Sequence, residues 1–375
     1  MFKKTLLAAA LATATMSASA AVPLAGDAFQ IYGQAAGFAH QTNPDGGDSA
    51  LSFVIESRIG FRGVVEFENF APNFVWQIEG GNADNGAKSG QLGARDTYIG
   101  LDFDGVGSVK FGRQLVAAYN LVDWPHSNPG LGNVFDWNND IDAGFQDRAD
   151  NTLRFDSASW GGVNVSATVS NMEKDIDQMV YSAAVSYSPV KMLNLHAGYY
   201  GQGDYSTSKK GKYAEPEKYI VDPSSSNGGV ILNPKWTEWD ESEVVSTKTD
   251  VDGNNYAIVG AGLYLGSFTA TAAYKAMSKG DADQDSISAT AQYVFGGQYV
   301  VKAGYATTLD SGDTKFGGAD FDDSDTAITG RLGYLLPSAY LYFDVRNYDM
   351  ASVNDKGEDK SVKATNFLLG AEYYF

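Results

Sequence analysis

The sequence has no cysteine, only 3 histidines among its 375 residues, and few basic residues. Without cysteine, disulfides, catalytic thiols and thiolate metal sites are all excluded. His40, His126 and His196 have no spacing that suggests a metal site, and His196 has Asn194 and Gly198, not a serine, beside it on its strand face. We therefore predict a protein that is not an enzyme and that uses no metal or other cofactor. The 27 Lys and Arg against 46 Asp and Glu give a formal charge of −19, which also argues against a nucleic-acid partner.

Long hydrophobic runs are missing as well. Lys3 and Lys4 precede an apolar run at residues 6–16, which is followed by the small-residue sequence ASA at 18–20, a pattern typical of a Sec signal peptide. That run is far shorter than the roughly 20 residues that span a bilayer as a helix, and polar residues or glycines interrupt every later run. We predict a signal peptide at 1–20 and a mature chain at 21–375. Losing Lys3 and Lys4 changes the formal charge from −19 to −21.

The residues that are abundant indicate β-structure: 42 Gly, 22 Tyr and 20 Phe. Apolar residues alternate with small or polar ones in several segments of about ten residues, for example 163–169, 286–295 and 367–375. Alternation alone fits a soluble β-sandwich as well as a membrane barrel, because both bury one face of each strand. The lengths of the connections between strands distinguish these two folds.

Sixteen strands are predicted, at 29–38, 53–66, 73–81, 95–103, 107–114, 151–156, 163–170, 180–187, 193–201, 256–264, 268–275, 286–295, 298–308, 326–335, 339–348 and 362–375. Short turns alternate with longer, polar connections at 39–52, 82–94, 115–150, 171–179, 202–255, 276–285, 309–325 and 349–361. A membrane barrel has this alternation, because its extracellular loops are long and its periplasmic turns are tight. The sequence thus predicts an all-β, closed antiparallel transmembrane barrel, with aromatics such as Tyr199, Tyr264 and Tyr373 at the lipid interfaces.

A barrel of sixteen strands is wide enough for an aqueous channel. Charged residues then belong on the inner face, because a charge that faces lipid costs about 2–4 kcal/mol near the midplane. Glu56, Arg58 and Arg154 alternate with apolar neighbours and should face the channel. Lys110 and Arg113 conflict in parity within one strand, which predicts a bulge near Gly112.

The connection at 115–150 is too long to be an ordinary turn, and loops of this length are usually functional or disordered. Its aromatic residues, Trp124, Phe135, Trp137 and Phe145, need a surface to pack on, which argues against disorder. We predict that the segment folds into the barrel. There its carboxylates would oppose arginines of the wall; they are Asp123, Asp136, Asp140, Asp142, Asp147 and Asp150.

Three segments resemble the trimeric porins of Gram-negative bacteria: RDTYIGL at 95–101, GSVKFGRQ at 107–114 and DNTLRFDS at 150–157. The aromatic C-terminus and the signal peptide match as well. The resemblance implies homotrimers of sixteen-stranded barrels in the outer membrane, in contact with lipid and lipopolysaccharide, each constricted by an inward-folded third loop. It also implies that Arg95, Arg113 and Arg154 face acidic groups of that loop. The loop tip of enteric porins is missing, so the loop's details cannot be transferred.

The dipeptides Asp123-Trp124 and Asp136-Trp137 resemble the paired Asp-Trp residues of the chitoporins of marine bacteria. An indole stacks on a pyranose while the adjacent carboxylate accepts hydrogen bonds, so Trp124 and Trp137 would line a path for chito-oligosaccharides. Alternatively, both tryptophans wedge the loop against the wall. The predicted constriction residues are Glu56, Arg58, Arg95, Arg113, Asp123, Asp136, Asp147, Arg148 and Arg154.

Three functions fit these predictions. They are a cation-preferring diffusion porin for small hydrophilic solutes, a sugar-preferring channel, and a barrel adhesin or phage receptor. The acidic clusters at 281–285 and 320–325 could bind Ca²⁺, although such clusters are more often solvated loops.

Overall fold

The computed structural model describes residues 21–83, 90–123, 125–127, 130–172, 174–210, 219–221, 230–232, 246–312, 315–316, 319–351 and 360–375. The predicted signal peptide and Trp124 lie outside these residues. The chain forms two compact units, one from Met1–Gly203 with Gly253–Phe375 and one from Asp204–Asp252. None of the described helices is long and apolar enough to cross a membrane.

The first unit is a closed antiparallel β-barrel of sixteen strands, as the sequence predicts. The strands are β1 Gln30–Pro44, β2 in two segments (Ala50–Ile55 and Arg58–Phe67), β3 Phe70–Gly80, β4 Leu92–Phe103, β5 Gly107–Leu115, β6 Arg148–Ser157, β7 Val163–Ser170, β8 Val180–Val190, β9 Leu193–Gln202, β10 Asn254–Leu265, β11 Phe268–Lys279, β12 Ala282–Phe295, β13 Tyr299–Thr308, β14 Thr326–Leu336, β15 Ala339–Met350 and β16 Val362–Tyr374. Short helices occur at Tyr119–Asp123 (α1) and Gly132–Phe135 (α2), with a 3-10 turn at Ile176–Gln178. Val22–Pro23 pairs with the start of β1, and Lys315–Phe316 pairs with Ala319–Asp320.

Strands β1 and β16 close the barrel. Their register runs from Gln34 opposite Tyr374 to Pro44 opposite Ala364. Beyond it, Gly33 and Phe375 exchange two backbone hydrogen bonds of 2.8 and 3.1 Å. Closure of this kind satisfies the backbone groups that an open edge would leave unpaired in hydrocarbon.

The two faces of the wall differ in polarity. On β13, Val301 and Tyr305 are exposed on the outer wall, whereas Lys302 between them is buried on the inner side. The pattern repeats around the barrel, because a period of two places alternate residues on lipid and on the lumen. Tyr264 does not lie at the lipid interface, where the sequence analysis placed it. It lies on the inner face beside Pro125, because its neighbour Leu263 faces outward and successive residues of a strand alternate.

Two extracellular connections are shorter than the sequence suggests. Strand β1 continues to Pro44. Strand β11 continues to Lys279 and β12 begins at Ala282, so that only two residues join β11 to β12. The predicted loops at 39–52 and 276–285 are therefore wrong in extent. Polar residues at the rim of a barrel keep their backbone pairing while their side chains reach water, so polarity there does not end a strand.

The predicted irregularity at Gly112 is confirmed. The pairing of β5 with β6 shifts register between Gly112 and Gln114, and Gly112 has a φ of 145°. A Cβ on Gly112 would lie 2.2 Å from the carbonyl oxygen of Thr97, an atom of the neighbouring backbone. The bulge changes the side-chain parity between Lys110 and Arg113.

Replacing Gly112 by valine should lower the free energy of unfolding by about 2–4 kcal/mol, because the substitution combines backbone strain with a clash against fixed backbone. Urea unfolding in detergent, followed by tryptophan fluorescence, measures the change. Gly330→Ala is the control, because Gly330 has open space around its Cβ position and an ordinary φ. Equal stability of both variants would contradict the assignment of Gly112 to a required bulge.

The second unit contains two small antiparallel hairpins. Tyr205–Lys210 pairs with Ser246–Val251, and Tyr219–Val221 pairs with Val230–Leu232. The predicted connection at 202–255 therefore contains strands that the sequence analysis does not predict.

Candidate functional site

The connection between β5 and β6, residues 116–147, folds along the inner wall of the barrel; we call it the inner loop. Its entry is fixed by two hydroxyl groups of the wall. The backbone N–H of Ala117 donates to Thr168 Oγ1 at 3.1 Å, and that of Ala118 donates to Ser182 Oγ at 2.8 Å. These hydroxyls occupy inward positions of β7 and β8, where the polar parity of the strands provides them.

Beyond α1, a pair of histidines joins the inner loop to β9. His126 Nε2 lies 2.8 Å from His196 Nε2, and both rings are buried. The hydroxyl of Ser288 donates to the His126 carbonyl at 2.7 Å. Burial lowers the pKa of the His126 ring to about 3, and the neighbouring His196 adds to this shift. His126 therefore stays neutral at physiological pH, and the two packed rings anchor the inner loop to β9.

Lys275 on β11 holds the next turn of the inner loop. Its Nζ donates to the backbone carbonyl of Asp136 at 2.9 Å and also to that of Phe135, where helix α2 ends. The side chain is 1% exposed. A cation at the C-terminal end of a helix is favourable because the last carbonyls have no partner within the helix.

The far part of the inner loop reaches strands near the rim. The Asn138 amide donates to Asp325 Oδ2 at 2.6 Å, and Gln284 exchanges two hydrogen bonds with Asp140. Tyr348 on β15 donates to the Gly130 carbonyl at 2.8 Å. The inner loop therefore contacts the wall from β7 to β15.

A hydrophobic core forms between the inner loop and this wall. Val122, Leu131 and Phe135 of the loop are at most 1% exposed, and they share a cluster with Ile258 and Met277 of the wall. Complete burial of such a side chain contributes about 1.5–3 kcal/mol. The described apolar residues of the loop are consequently held against the barrel wall by packing.

The wall that the inner loop leaves uncovered, from β2 to β6, is rich in arginine. Arg95 Nε is 2.5 Å from Glu79 Oε1, and Arg148 Nε is 2.7 Å from Asp96 Oδ1. Arg58 Nε is buried and has no hydrogen-bond partner in the described part of the chain.

Asp123, at the end of α1, faces this arginine wall. Burial raises the pKa of its carboxyl group, while the positive charges of Arg95, Arg58 and Arg148 act in the opposite direction. These three arginines therefore lie within electrostatic range of Asp123. The exposed Glu56, between the two segments of β2, lies within electrostatic range of Arg58.

Two predicted arginines have partners on strand β6. Arg113 pairs at 2.8 Å with Asp150, one of the carboxylates predicted to oppose the arginines of the wall, which the structure places at an exposed position of β6. Arg154 pairs with Asp156 on its own strand at 2.8 Å and donates to the Leu115 carbonyl. Neither forms an ion pair with a carboxylate of residues 116–147 in the described structure.

A cleft of about 340 Å³ lies between residues 119–122 and residues 136–147 of the inner loop. Trp137, 62% exposed, is on one side, and Asp136 and Asp147 lie close by. The remaining lining residues are Tyr119, Val122, Ala143, Gly144, Phe145 and Tyr256.

Local hydrogen bonds fix the shape of the cleft. Tyr119 donates its hydroxyl hydrogen to Asp136 Oδ2 at 2.9 Å. The Asn139 side chain accepts from the Ala143 N–H at 2.7 Å and donates to the Trp137 carbonyl at 3.1 Å. Asx hydrogen bonds of this kind stabilise tight turns, so the Trp137 segment has a defined course.

Sequence reasoning did not identify Lys275, His196, Gln284 or Tyr256 as functional residues. Their only signal was inward parity on a strand, which many residues share. No group of three or more His, Cys, Asp or Glu within the described ranges is arranged to hold a metal ion. Asp323 and Asp325 instead accept hydrogen bonds from protein groups, among them Ser311 and Asn138.

Comparison with known proteins gives a consistent result. A family profile for Gram-negative porins matches residues 7–313. A chitoporin of Vibrio furnissii is 32% identical over 398 aligned residues, covering 100% of this chain and 99% of the relative. Among solved structures, an anion-selective porin from Comamonas acidovorans has a TM-score of 0.64 at 17% identity, with 93% of this chain and 99% of that one covered. Salmonella typhi OmpF in complex with daunomycin has a TM-score of 0.65 at 16% identity, covering 95% and 100% of the two chains.

Proposed function

This chain belongs to the family of Gram-negative porins, and from that premise we propose a cation-preferring channel for small hydrophilic solutes that also binds chito-oligosaccharides. The porin channel and the outer membrane follow from the family. The preference for cations, the sugar path and the assembly into homotrimers are proposals. We infer that the outer wall contacts lipid and lipopolysaccharide.

The observation that carries the sugar proposal is the cleft of the inner loop. Trp137 is 62% exposed, although Val134, Phe135 and Asp136 directly before it are buried. An exposed indole beside the carboxylates of Asp136 and Asp147 suits a sugar, because the ring stacks on C–H groups while the carboxylates accept hydroxyl or amide hydrogens. The full-length similarity to a chitoporin supports the same ligand class.

Planar-bilayer recording tests the proposal. The purified protein should insert in three equal conductance steps, and micromolar chitotetraose should block the open current. Absence of conductance would overturn the channel proposal. Conductance without block would leave a general diffusion porin, and single steps would contradict the trimer.

The proposed cation preference rests on charge. The chain has a formal charge of −19, and the inner loop contributes Asp123, Asp136 and Asp147 to the lumen. Such a field concentrates cations within a Debye length, which is about 10 Å at 0.1 M salt and about 3 Å at 1 M. The preference for K⁺ over Cl⁻ should therefore weaken as the salt concentration rises.

The preference for cations should also fall on mild acidification. Burial raises the pKa of Asp136 well above its usual range and raises that of Asp140 to about 6. Both groups are negative above these pKa values and become neutral as the pH falls through them, whereas an ordinary aspartate has a pKa near 3.9. Reversal potentials in a KCl gradient should therefore show most of the loss between pH 8 and 5.

The variant Asp140→Asn is the control for this prediction, because it should remove part of the pH response and lower the cation preference at pH 8. Protonation also relieves the repulsion among Asp140, Asp323 and Asp325, so acid should tighten this contact with the rim rather than release it. A selectivity that stays constant down to pH 4.5 would contradict the prediction.

A further inference from the structure

The histidine pair that joins the inner loop to β9 has a defined arrangement of hydrogens. The Asn194 amide donates to Ser188 Oγ at 3.1 Å, so its Oδ1 accepts from His196 Nδ1 at 3.0 Å. His196 Nε2 is therefore the acceptor in the contact with His126, and His126 Nε2 is the donor. A single hydrogen lies between the two rings, and His126 Nδ1 carries none.

Neither ring can take up a further proton while the two rings remain in contact. His126 Nδ1 is buried and has no hydrogen-bond partner in the described part of the chain, so a proton there would have no acceptor. A proton on His196 Nε2 would point at the hydrogen of His126 Nε2, and the two nitrogens are 2.8 Å apart. Both nitrogens of an imidazolium are donors, and each needs an acceptor when it is buried.

Packing separates the pair from solvent. His126 is 0% exposed and His196 is 7% exposed. A Cβ on Gly260 of β10 would lie 2.4 Å from His196 Nε2 and 2.8 Å from His126 Nε2, so the backbone of β10 closes one side. The ring of Phe135 meets His126 edge-on, with 5.9 Å between centroids. A charged imidazole in this environment would lose its hydration without gaining a partner.

The charged groups on the surrounding elements do not provide a counter-ion for the pair. Lys302 of β13 lines the small cavity beside the residue before His126. Lys275 of β11 donates to backbone carbonyls at the end of α2, and the carboxylate of Asp136 accepts from Tyr119. No carboxylate of the described residues accepts a hydrogen bond from either histidine ring.

We propose that the histidine pair is an acid-sensitive latch, which holds the inner loop to β9 only while both rings are neutral. Uptake of a proton requires the rings to separate, so protons favour the released loop. His126 lies between α1 and α2, and its release detaches the stretch of the loop that leads to Trp137. The latch does not depend on sugar binding, and its test needs no sugar.

The size of the effect follows from proton linkage. Burial lowers the pKa of His126 to about 3 in the packed pair, whereas an exposed histidine has a pKa near 6.5. The packed state is therefore fully favoured above about pH 6.5, and it loses about tenfold against the released state for each pH unit below that value, down to about pH 3. Between pH 7.5 and 4.5, His126 alone should raise the ratio of released to packed loop about 100-fold.

Thiol labelling tests the latch, because the chain has no cysteine of its own. Val134→Cys places a single thiol in α2, at a position that is 0% exposed while the loop is packed. Labelling of the full-length protein in detergent by dithiodipyridine, which reacts with thiols in acid, should accelerate about 100-fold from pH 7.5 to 4.5. Rates are divided by those of Trp137→Cys, an exposed position of the same loop, to remove the pH dependence of the reagent.

Two variants in the Val134→Cys background assign the response. The double variant His126→Gln/His196→Gln keeps side chains that can hydrogen-bond but cannot bind a proton in this range, so its labelling should be nearly independent of pH. His40→Gln removes the third histidine, which lies on β1 beside Thr42 and Phe38, and it should keep the full acceleration.

The outcomes are decisive in either direction. Labelling of Val134→Cys that does not depend on pH would overturn the latch, as would an acceleration that persists in the double variant. The rim contact of Asp140 tightens in acid, so it cannot produce the same acceleration. Nitrogen-15 NMR of the histidine rings needs no substitution in the pair: a His126 ring that becomes protonated while the Val134→Cys thiol stays protected would also refute the proposal.

Discussion

Replacing Lys275 by methionine should release residues 136–147 of the inner loop from the wall and weaken chitotetraose block by about tenfold or more. Lys275 is buried and donates to the carbonyls of Phe135 and Asp136, directly before Trp137. Methionine has a similar shape but leaves both carbonyls without a donor, and each buried polar group left unsatisfied costs about 1–3 kcal/mol. Single-channel recording should show a larger and noisier open current, because the loop no longer holds the constriction.

The matched control is Lys279→Met, four residues further along the same strand and on the same face. Lys279 also donates to the inner loop, at 2.7 Å to the Asp142 carbonyl, but the Asp142 side chain is fully exposed. Exposed ion pairs contribute little to stability, so conductance and sugar block should stay close to wild type. The barrel itself should survive in both variants, since its backbone pairing is untouched. A quiet, unchanged channel in Lys275→Met would refute the anchoring role.

Replacing Trp137 by alanine is the second large change, with an expected loss of sugar block of about tenfold to 100-fold. The indole is the most exposed aromatic surface of the cleft, and stacking of an aromatic ring contributes about 1–3 kcal/mol in comparable contacts with planar ligands. Conductance in KCl should change little, because the loop anchors at Lys275 and Gln284 remain. Titration of the open current with chitotetraose measures the effect.

Trp160→Ala provides a comparison with a tryptophan of similar exposure that lies away from the cleft. Trp160 is 48% exposed, and its indole N–H donates to the Gly105 carbonyl in a turn region between strands. This variant should keep normal block. If Trp137→Ala is blocked as well as wild type, Trp137 only packs the loop, and the alternative role of a wedge is correct.

Much of the barrel could be predicted from the sequence because strand pairing in a membrane leaves little choice. A period of two in apolar residues assigned lipid and lumen faces, and the bulge at Gly112 followed from a parity conflict between Lys110 and Arg113. The ends of strands at the rim were less predictable, as at 276–285, since polar side chains there suit a strand as well as a loop.

The site was predicted in part. In the described structure Asp123 lies within electrostatic range of Arg58, Arg95 and Arg148. Arg113 pairs with Asp150, one of the acidic residues assigned to the third loop, whereas Arg154 pairs with Asp156 on its own strand. Sequence parity places a charge inside the barrel but does not tell which of several inward charges will be its partner.

The sequence by itself determined that the chain is a hollow β-barrel with an aromatic, acidic third loop, because alternation, loop length and composition are local properties. Only the tertiary structure decided how that loop runs along the inner wall. Its course brings Lys275 under the Asp136 carbonyl and Tyr256 under the cleft, although each is more than 100 residues away in the chain. Contacts between such distant segments depend on the closed curvature of the barrel and on the packing beneath the loop, and neither is encoded in the pattern of any single strand.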